Sequence, residues 1–267
     1  MTIQFPEFID KVVLVTGSGS GMGRAVAIGF ANEGANVVAN DVDYGAAHSV
    51  AQQIKDMGRK SLAVKCDVSN SREVSDMFDQ IVKQFGTLHI LINSAGILGP
   101  SALLEETLEE EFDQAVNVNL KGVFLCSKAA VPLMKKNKYG KIVNVASTSA
   151  KRTASGAGGE YAASKAAVLS LTRTFAYELA PYGINVNAIC PGRTLTSMGT
   201  VTPEHKERLR KIPMGRYGTP EDQANAMILL CSDRASYIAG QHIDVDGGLL
   251  LGWTDFESYK DAHKRQI

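Results

Sequence analysis

Cysteine is sparse in this chain and never paired. The four residues, Cys66, Cys126, Cys190 and Cys231, stand far apart with no C-x-x-C. That excludes a disulfide framework and reads as reduced thiols in a cytoplasmic protein. The five histidines, at 48, 89, 205, 242 and 263, show no paired ligand spacing, so no metal is expected. Charge of one sign is missing too, since Lys plus Arg and Asp plus Glu both number 28. No basic excess invites nucleic acid, and no acidic excess invites a cationic partner. No apolar run approaches the ~20 residues of a membrane span. The opening MTIQFPEFIDK lacks the basic and apolar stretches of a signal peptide. Internal repeats, low-complexity segments and Pro/Ser linkers are absent, which favours one domain over residues 1–267.

What the chain does have is glycine in one telling place. Val12 to Val15 is a continuous apolar run, as expected of a strand buried on both faces. It stops at Thr16, and Gly17, Gly19, Gly21 and Gly23 follow before a helical pattern begins at Arg24. A strand, a glycine turn and a helix start present backbone N–H groups to a diphosphate. The spacing is not Gly-x-Gly-x-x-Gly, because Met22 stands where the third glycine should fall; Thr-Gly-x-x-x-Gly-x-Gly fits better. A second apolar run, Asn36 to Ala39, ends at Asn40 and Asp41. Asp41 lies 18 residues beyond Gly23, close to where an acid reaches the adenosine ribose hydroxyls. A carboxylate there repels a 2′-phosphate, and position 20 is Ser20 rather than a cation, so NAD is expected over NADP. Asp43 is a rival for the same role.

Apolar runs at Ser61–Lys65, Leu88–Ile92, Lys141–Ala146, Ile184–Cys190 and Gln241–Val245 complete seven strands, alternating with helical patterns. That alternation predicts an α/β fold with a doubly wound parallel sheet. The third strand leads to Asp67 and Val68. The fourth leads to Asn93, Ser94, Ala95 and Gly96, small residues that allow close approach. A long helical stretch over 108–136 contains Asn117, Asn119 and Gly122, locally unfavourable for a helix. The fifth strand ends at Ser147. Fourteen residues later comes Tyr161, and four after that Lys165, a spacing that puts both on one helix face. The sixth strand ends in Pro191-Gly192. Residues 193–217 are polar with weak periodicity and read as a mobile substrate-side segment with a short helix near 204–210.

Taken together, the glycine turn, Asp67, the Asn-Ser-Ala-Gly tetrad, Asn119, Ser147, Tyr161, Lys165 and Pro191-Gly192 resemble the short-chain dehydrogenase/reductase family. The resemblance runs from Thr16 to about Gly248. It implies a Rossmann-like sheet in the order 3-2-1-4-5-6-7 with helices on both faces, and a homotetramer. It implies that Gly17, Ser20, Gly21, Met22, Gly23, Asp41, Asp67, Val68, Asn93, Ala95 and Gly96 line the cofactor site. Tyr161, Lys165, Pro191, Gly192, Thr194 and Thr196 would flank the nicotinamide end. Asp67 would border the adenine, or cap the next helix, or do both. Thr196 would bond the carboxamide or stand as a loop residue. Ser94 departs from the family's usual Asn-Asn-Ala-Gly, and the Ser147–Tyr161 gap is one residue longer than its commonest form.

The chemistry explains these residue types. Tyr161 is expected to act as general acid/base, with the Lys165 charge lowering its pKa from about 10. Ser147 would bond the substrate oxygen, and by resemblance Asn119 would hold a water that passes the proton outward. The reaction expected is hydride transfer between NAD(H) and a small secondary alcohol or ketone. An NADPH-dependent ketoreductase resembling the 3-oxoacyl carrier-protein reductases is the alternative, and a non-catalytic dinucleotide binder a remote one. Ser149, Arg152 and Arg193, with Lys151, fall in loops beside the substrate; the basic ones either hold an anionic group or face solvent.

Overall fold

The computed structural model describes residues 4–100, 102–153, 156–195, 203–252 and 254–263, with backbone alone for 203–206 and for Phe256. Four strands and three helices build the first half: β1 Val12–Val15, α1 Gly21–Asn32, β2 Asn36–Asp41, α2 Tyr44–Asp56, β3 Ser61–Lys65, α3 Ser71–Phe85 and β4 Ile90–Asn93. The second half follows with α4 Glu109–Val116, α5 Gly122–Asn137, β5 Gly140–Val145, α6 Gly159–Leu179, β6 Ile184–Pro191, α7 Pro203–Arg210, α8 Pro220–Cys231, β7 His242–Val245 and α9 Phe256–Ala262. All pairings are parallel, and the sheet order is β3-β2-β1-β4-β5-β6-β7. The order reverses beside β1, so the carboxyl ends of β1 and β4 open a crevice there, where doubly wound sheets bind ligands.

Period-two alternation distributes the strand residues between two cores. Val13, Val15, Val37, Ile90 and Ile92 pack with Val26, Phe30, Ile54 and Met227 from α1, α2 and α8. Leu14, Val38, Leu91 and Ile142 pack with Phe78, Ile81, Cys126 and Met134 from α3 and α5. On that same face, Val168 and Leu169 of α6 meet Ala188 and Cys190 of β6. All four cysteines are buried and free.

Local rules explain most helix starts. Asp43 caps α2, its Oδ1 accepting from the Gly45 and Ala46 amides at 2.8 and 3.3 Å. Asn70 caps α3, so the helix-cap role considered for Asp67 belongs to Asn70. Thr219 and Asp222 form a capping box on α8. The stretch expected as one helix over 108–136 is two, α4 and α5, joined by a π turn over Asn117–Lys121. The unfavourable Asn and Gly residues mark that break, and π turns concentrate at functional sites. Within 193–217, α7 occupies the short helix expected, and Thr194 pairs with Gly218 in a parallel bridge. Among the described residues no helix is long and apolar enough to cross a membrane.

Candidate active site

The glycine turn after β1 is built for close approach. Gly17 has φ +62°, a left-handed conformation open to glycine, and a Cβ on Gly23 would lie 2.0 Å from the Gly17 carbonyl oxygen. Ser20 precedes α1 with no side-chain cap, unlike Asp43, Asn70 and Thr219 at their helices. The first amides of α1 therefore remain for an anion. Gly17, Ser20, Gly21, Met22 and Gly23 form one wall of a groove of about 530 Å³; Asp41, Asp67, Val68, Ala95 and Gly96 form much of the rest. Among the described residues no Lys or Arg lines it. These features fit a dinucleotide: a diphosphate against the bare helix start, and a carboxylate at the end of β2.

Asp41 is held in place. Its Oδ2 accepts the Gly19 amide at 2.9 Å and its Oδ1 the Asp43 amide at 3.1 Å. Asp43, its rival, is committed to the α2 cap. Asp67 turns Oδ1 into its own loop, accepting from the Ser69 amide and hydroxyl at 2.9 and 2.7 Å. Asn93 does not face the groove. Its amide donates to Ser127 at 3.1 Å and to Asn144 at 2.8 Å, and Asn144 donates on to Thr172 at 3.0 Å. The last residue of β4 points into a buried polar chain, since alternation sends Asn93 to the face opposite Ile92.

A second cavity of about 570 Å³ opens beside the groove. Ser147, Ser149 and Tyr161 line it, with Pro191, Gly192 and Thr194 from the end of β6. Thr194 donates its hydroxyl to the Gly192 carbonyl at 3.3 Å; Thr196 lies outside the described residues. Ser147 Oγ accepts the Ser149 amide at 3.0 Å, which fixes the oxygen and leaves its proton to donate. Its effect on the neighbouring Tyr161 is to favour the ionised phenol.

The expectation that Lys165 lowers the Tyr161 pKa is not met in this arrangement. Lys165 is buried and spends its ammonium on the Val145 carbonyl at 2.8 Å; it sits 5.8 Å from the Tyr161 ring centre. Burial raises the phenol above its ordinary value, and the Ser147 hydrogen bond only partly opposes that. Burial also pulls Lys165 down to about 8. The resting phenol is therefore held in its protonated, acid form.

Asn119 is buried too, on the π turn. Its Oδ1 accepts the Ile97 amide at 2.8 Å; its amide donates to the Ile97 carbonyl at 2.9 Å and to Ser164 at 3.1 Å. Ser164 in turn donates to the Tyr161 carbonyl at 2.7 Å. The side chain thus clamps the Ile97 backbone to the turn of α6 that carries Tyr161. Gly96 fits between Asn119 and Lys165, where a Cβ would stand 3.0 and 3.2 Å from their polar atoms. Glu160, beside Tyr161, is buried against Gly99 and Gly158, with Oε1 unpartnered among the described residues.

Sequence reasoning missed two cavity residues, Arg208 of α7 and Lys211 just beyond it. They join Arg152 and Arg193, expected there, in the lining of the cavity. Lys151 instead pairs with Asp244.

A parallel sheet in this order, a glycine turn and a Ser–Tyr pair in an adjoining cavity define an oxidoreductase that works on alcohol or keto groups with a nicotinamide dinucleotide. The family model described as Enoyl-(Acyl carrier protein) reductase matches residues 17–250. The chain belongs to the short-chain dehydrogenase/reductase family. It is 40% identical over 243 residues to the 3-oxoacyl-[acyl-carrier-protein] reductase FabG of Thermotoga maritima, covering 90% of this chain and 98% of that one. The Staphylococcus aureus protein of the same name is 41% identical, over 91% of this chain and 99% of its own. The (2S)-[(R)-hydroxy(phenyl)methyl]succinyl-CoA dehydrogenase subunit BbsD of Thauera aromatica is 38% identical over 91% and 97%. Among solved structures, a short-chain type dehydrogenase/reductase from Mycobacterium marinum superposes with a TM-score of 0.85 at 33% identity, over 92% of this chain and 97% of that one.

Proposed function

We propose that the chain is a ketoreductase of 3-oxoacyl compounds, interconverting a keto group and a secondary alcohol. The observation that carries this reading is Ser147 and Tyr161 brought together, from the end of β5 and the start of α6, in the lining of one cavity at the carboxyl edge of the sheet. The relatives' names support the acyl substrate over the small alcohol, polyol or sugar expected from sequence. Two are 3-oxoacyl reductases, and the Thauera protein is named for a 3-hydroxyacyl thioester.

When bound, the nicotinamide ring gives or takes the hydride. Tyr161 donates its proton to the carbonyl oxygen as the C=O π bond breaks and the new C–H bond forms. A phenol held protonated by burial suits that direction. Ser147, oriented by the Ser149 amide, steadies the same oxygen by its hydroxyl. Lys165 stays anchored on the Val145 carbonyl, one turn along α6 from the phenol. Asn119 keeps Ile97 and the Tyr161 turn in register.

For the cofactor two considerations pull apart. The reductive reaction of the named relatives favours NADPH. Asp41 and a groove without Lys or Arg favour NAD(H), because a 2′-phosphate beside that carboxylate would meet like charge and no cation. We assign NAD(H) on the second ground. Initial rates of acetoacetate and acetoacetyl thioester reduction with each cofactor test both parts. Failure to reduce both acetoacetate and its thioester with either cofactor refutes the 3-oxoacyl reading, and a strong NADPH preference refutes the cofactor assignment.

A further inference from the structure

The cavity beside Ser147 and Tyr161 is sharply biased in charge. Arg152 comes from the loop after β5, Arg193 follows β6, and Arg208 and Lys211 come from the end of α7. Three separate segments converge to place four cations on one cavity, in a chain whose charges balance overall. No carboxylate of the described residues lines it. Two of the acids nearby have partners of their own: Asp244 pairs with Lys151, and Asp246 accepts from the Gly248 and Leu250 amides at 2.8 and 2.9 Å. Asp255 shares an adjoining cavity with Arg152 and Lys211, but caps α9 through the Ser258 amide and hydroxyl. Arg152 gives one N–H to the Leu249 carbonyl at 3.3 Å, and its fork holds further donors. Like charges gathered around one cavity repel, and a bound anion removes that cost. Guanidinium forks match planar or tetrahedral oxyanions.

We infer that the substrate carries a compact oxyanion (carboxylate, sulfonate or phosphate) a few bonds from the reacting carbon, held by Arg152, Arg193, Arg208 and Lys211. The inference rests on the proposed reading of Ser147 and Tyr161 as the reacting pair, and it narrows the substrate further. The cavity volume of about 570 Å³ admits a small acid whole. A thioester's carrier phosphates lie a long flexible arm away from its keto group, outside the cavity.

The test compares kcat/KM for matched ketones: acetoacetate against ethyl acetoacetate, 2-oxopropylphosphonate against its diethyl ester, and acetoacetyl-CoA as the thioester. Wild type should favour each anion over its ester by about tenfold or more, carried in KM. Arg208→Gln with Lys211→Gln, both at exposed positions, should bring that ratio toward one. Calorimetric binding of 2-oxopropylphosphonate supplies a readout without turnover, and the double variant should weaken it by about tenfold. A ratio near one in wild type, or unchanged phosphonate binding in the variant, overturns the inference while leaving ketoreduction intact. A loss in the variant confined to acetoacetyl-CoA also overturns it, by assigning the cations to carrier phosphates. If no ketone turns over, the function proposed above fails; weakened phosphonate binding in the variant would then still uphold the anion site.

Discussion

The two cavities along the carboxyl edge of the sheet are built in opposite ways. The groove over β1, β2 and β4 is made of backbone: glycines, an uncapped helix start and the carboxylates of Asp41 and Asp67, with no Lys or Arg. The cavity over β5 and β6 is made largely of side chains, with the hydroxyls of Ser147 and Tyr161 and four cations in its lining. A diphosphate can be held by amides that need no charge, so this fold leaves side-chain cations to be spent elsewhere. The difference teaches that recognition of a constant partner is written in main-chain geometry here, and recognition of a variable one in charge.

The largest effect should come from the reacting pair. Tyr161→Phe should lower kcat by about a thousandfold, with dinucleotide affinity close to wild type by fluorescence titration. Turnover surviving that change would strip the second cavity of its chemistry. Gly23→Ala should act on the other side alone, because the new Cβ meets the Gly17 carbonyl oxygen at 2.0 Å. It should cost about 1–3 kcal/mol of stability and weaken dinucleotide binding in the same titration. If it altered only the KM for ketone, the division between the cavities would be wrong.

Lys165 joins the two regions and sharpens the comparison through pH. Below about 8 it is charged in both folded and unfolded chains, and its burial opposes folding. As pH rises from about 8 toward its ordinary 10.5, the folded chain releases the proton first and that cost disappears. Denaturation curves should show wild type gaining about 3 kcal/mol on Lys165→Met across that window. A flat difference would contradict the buried-charge account. In catalysis, ketone reduction should fall as pH rises through the elevated Tyr161 value, and alcohol oxidation should rise over the same range. The smallest change concerns Asp41. Asp41→Asn keeps an acceptor for the Gly19 amide but removes the charge, so the NADH over NADPH preference should drop by about tenfold in initial rates.

Much of the fold was legible because both sheet faces are covered. Strands buried on two sides read as unbroken apolar runs, and Ser61–Lys65 and Val12–Val15 match the expected bounds. Leu88 and His89 fall outside β4 even though the apolar run includes them. The split of 108–136 was foreshadowed by Asn117, Asn119 and Gly122, but composition does not distinguish a π turn from a kink. At the site, the dipole-bearing turn and the Ser–Tyr–Lys spacing were readable. The anchoring of Lys165 on Val145 was not, because a backbone carbonyl leaves no trace in residue identity. Nor was the direction of Asn93, which depends on the face its strand residue takes. Arg208 and Lys211 stand more than forty residues from Tyr161 in a stretch without periodicity; only the packing of α7 brings them near it.

The bridge between Thr194 and Gly218 fastens the chain at the foot of everything between those residues. A second tie lies inside it, where Ile212 is buried and the Met214 amide donates to the Gly247 carbonyl at 3.1 Å. Arg208 and Lys211 stand at exposed positions before that tie, so the stretch that carries them can be exchanged only if residues 212–214 are kept. Grafting it between kindred scaffolds is the most economical route to moving substrate choice without rebuilding the enzyme beneath.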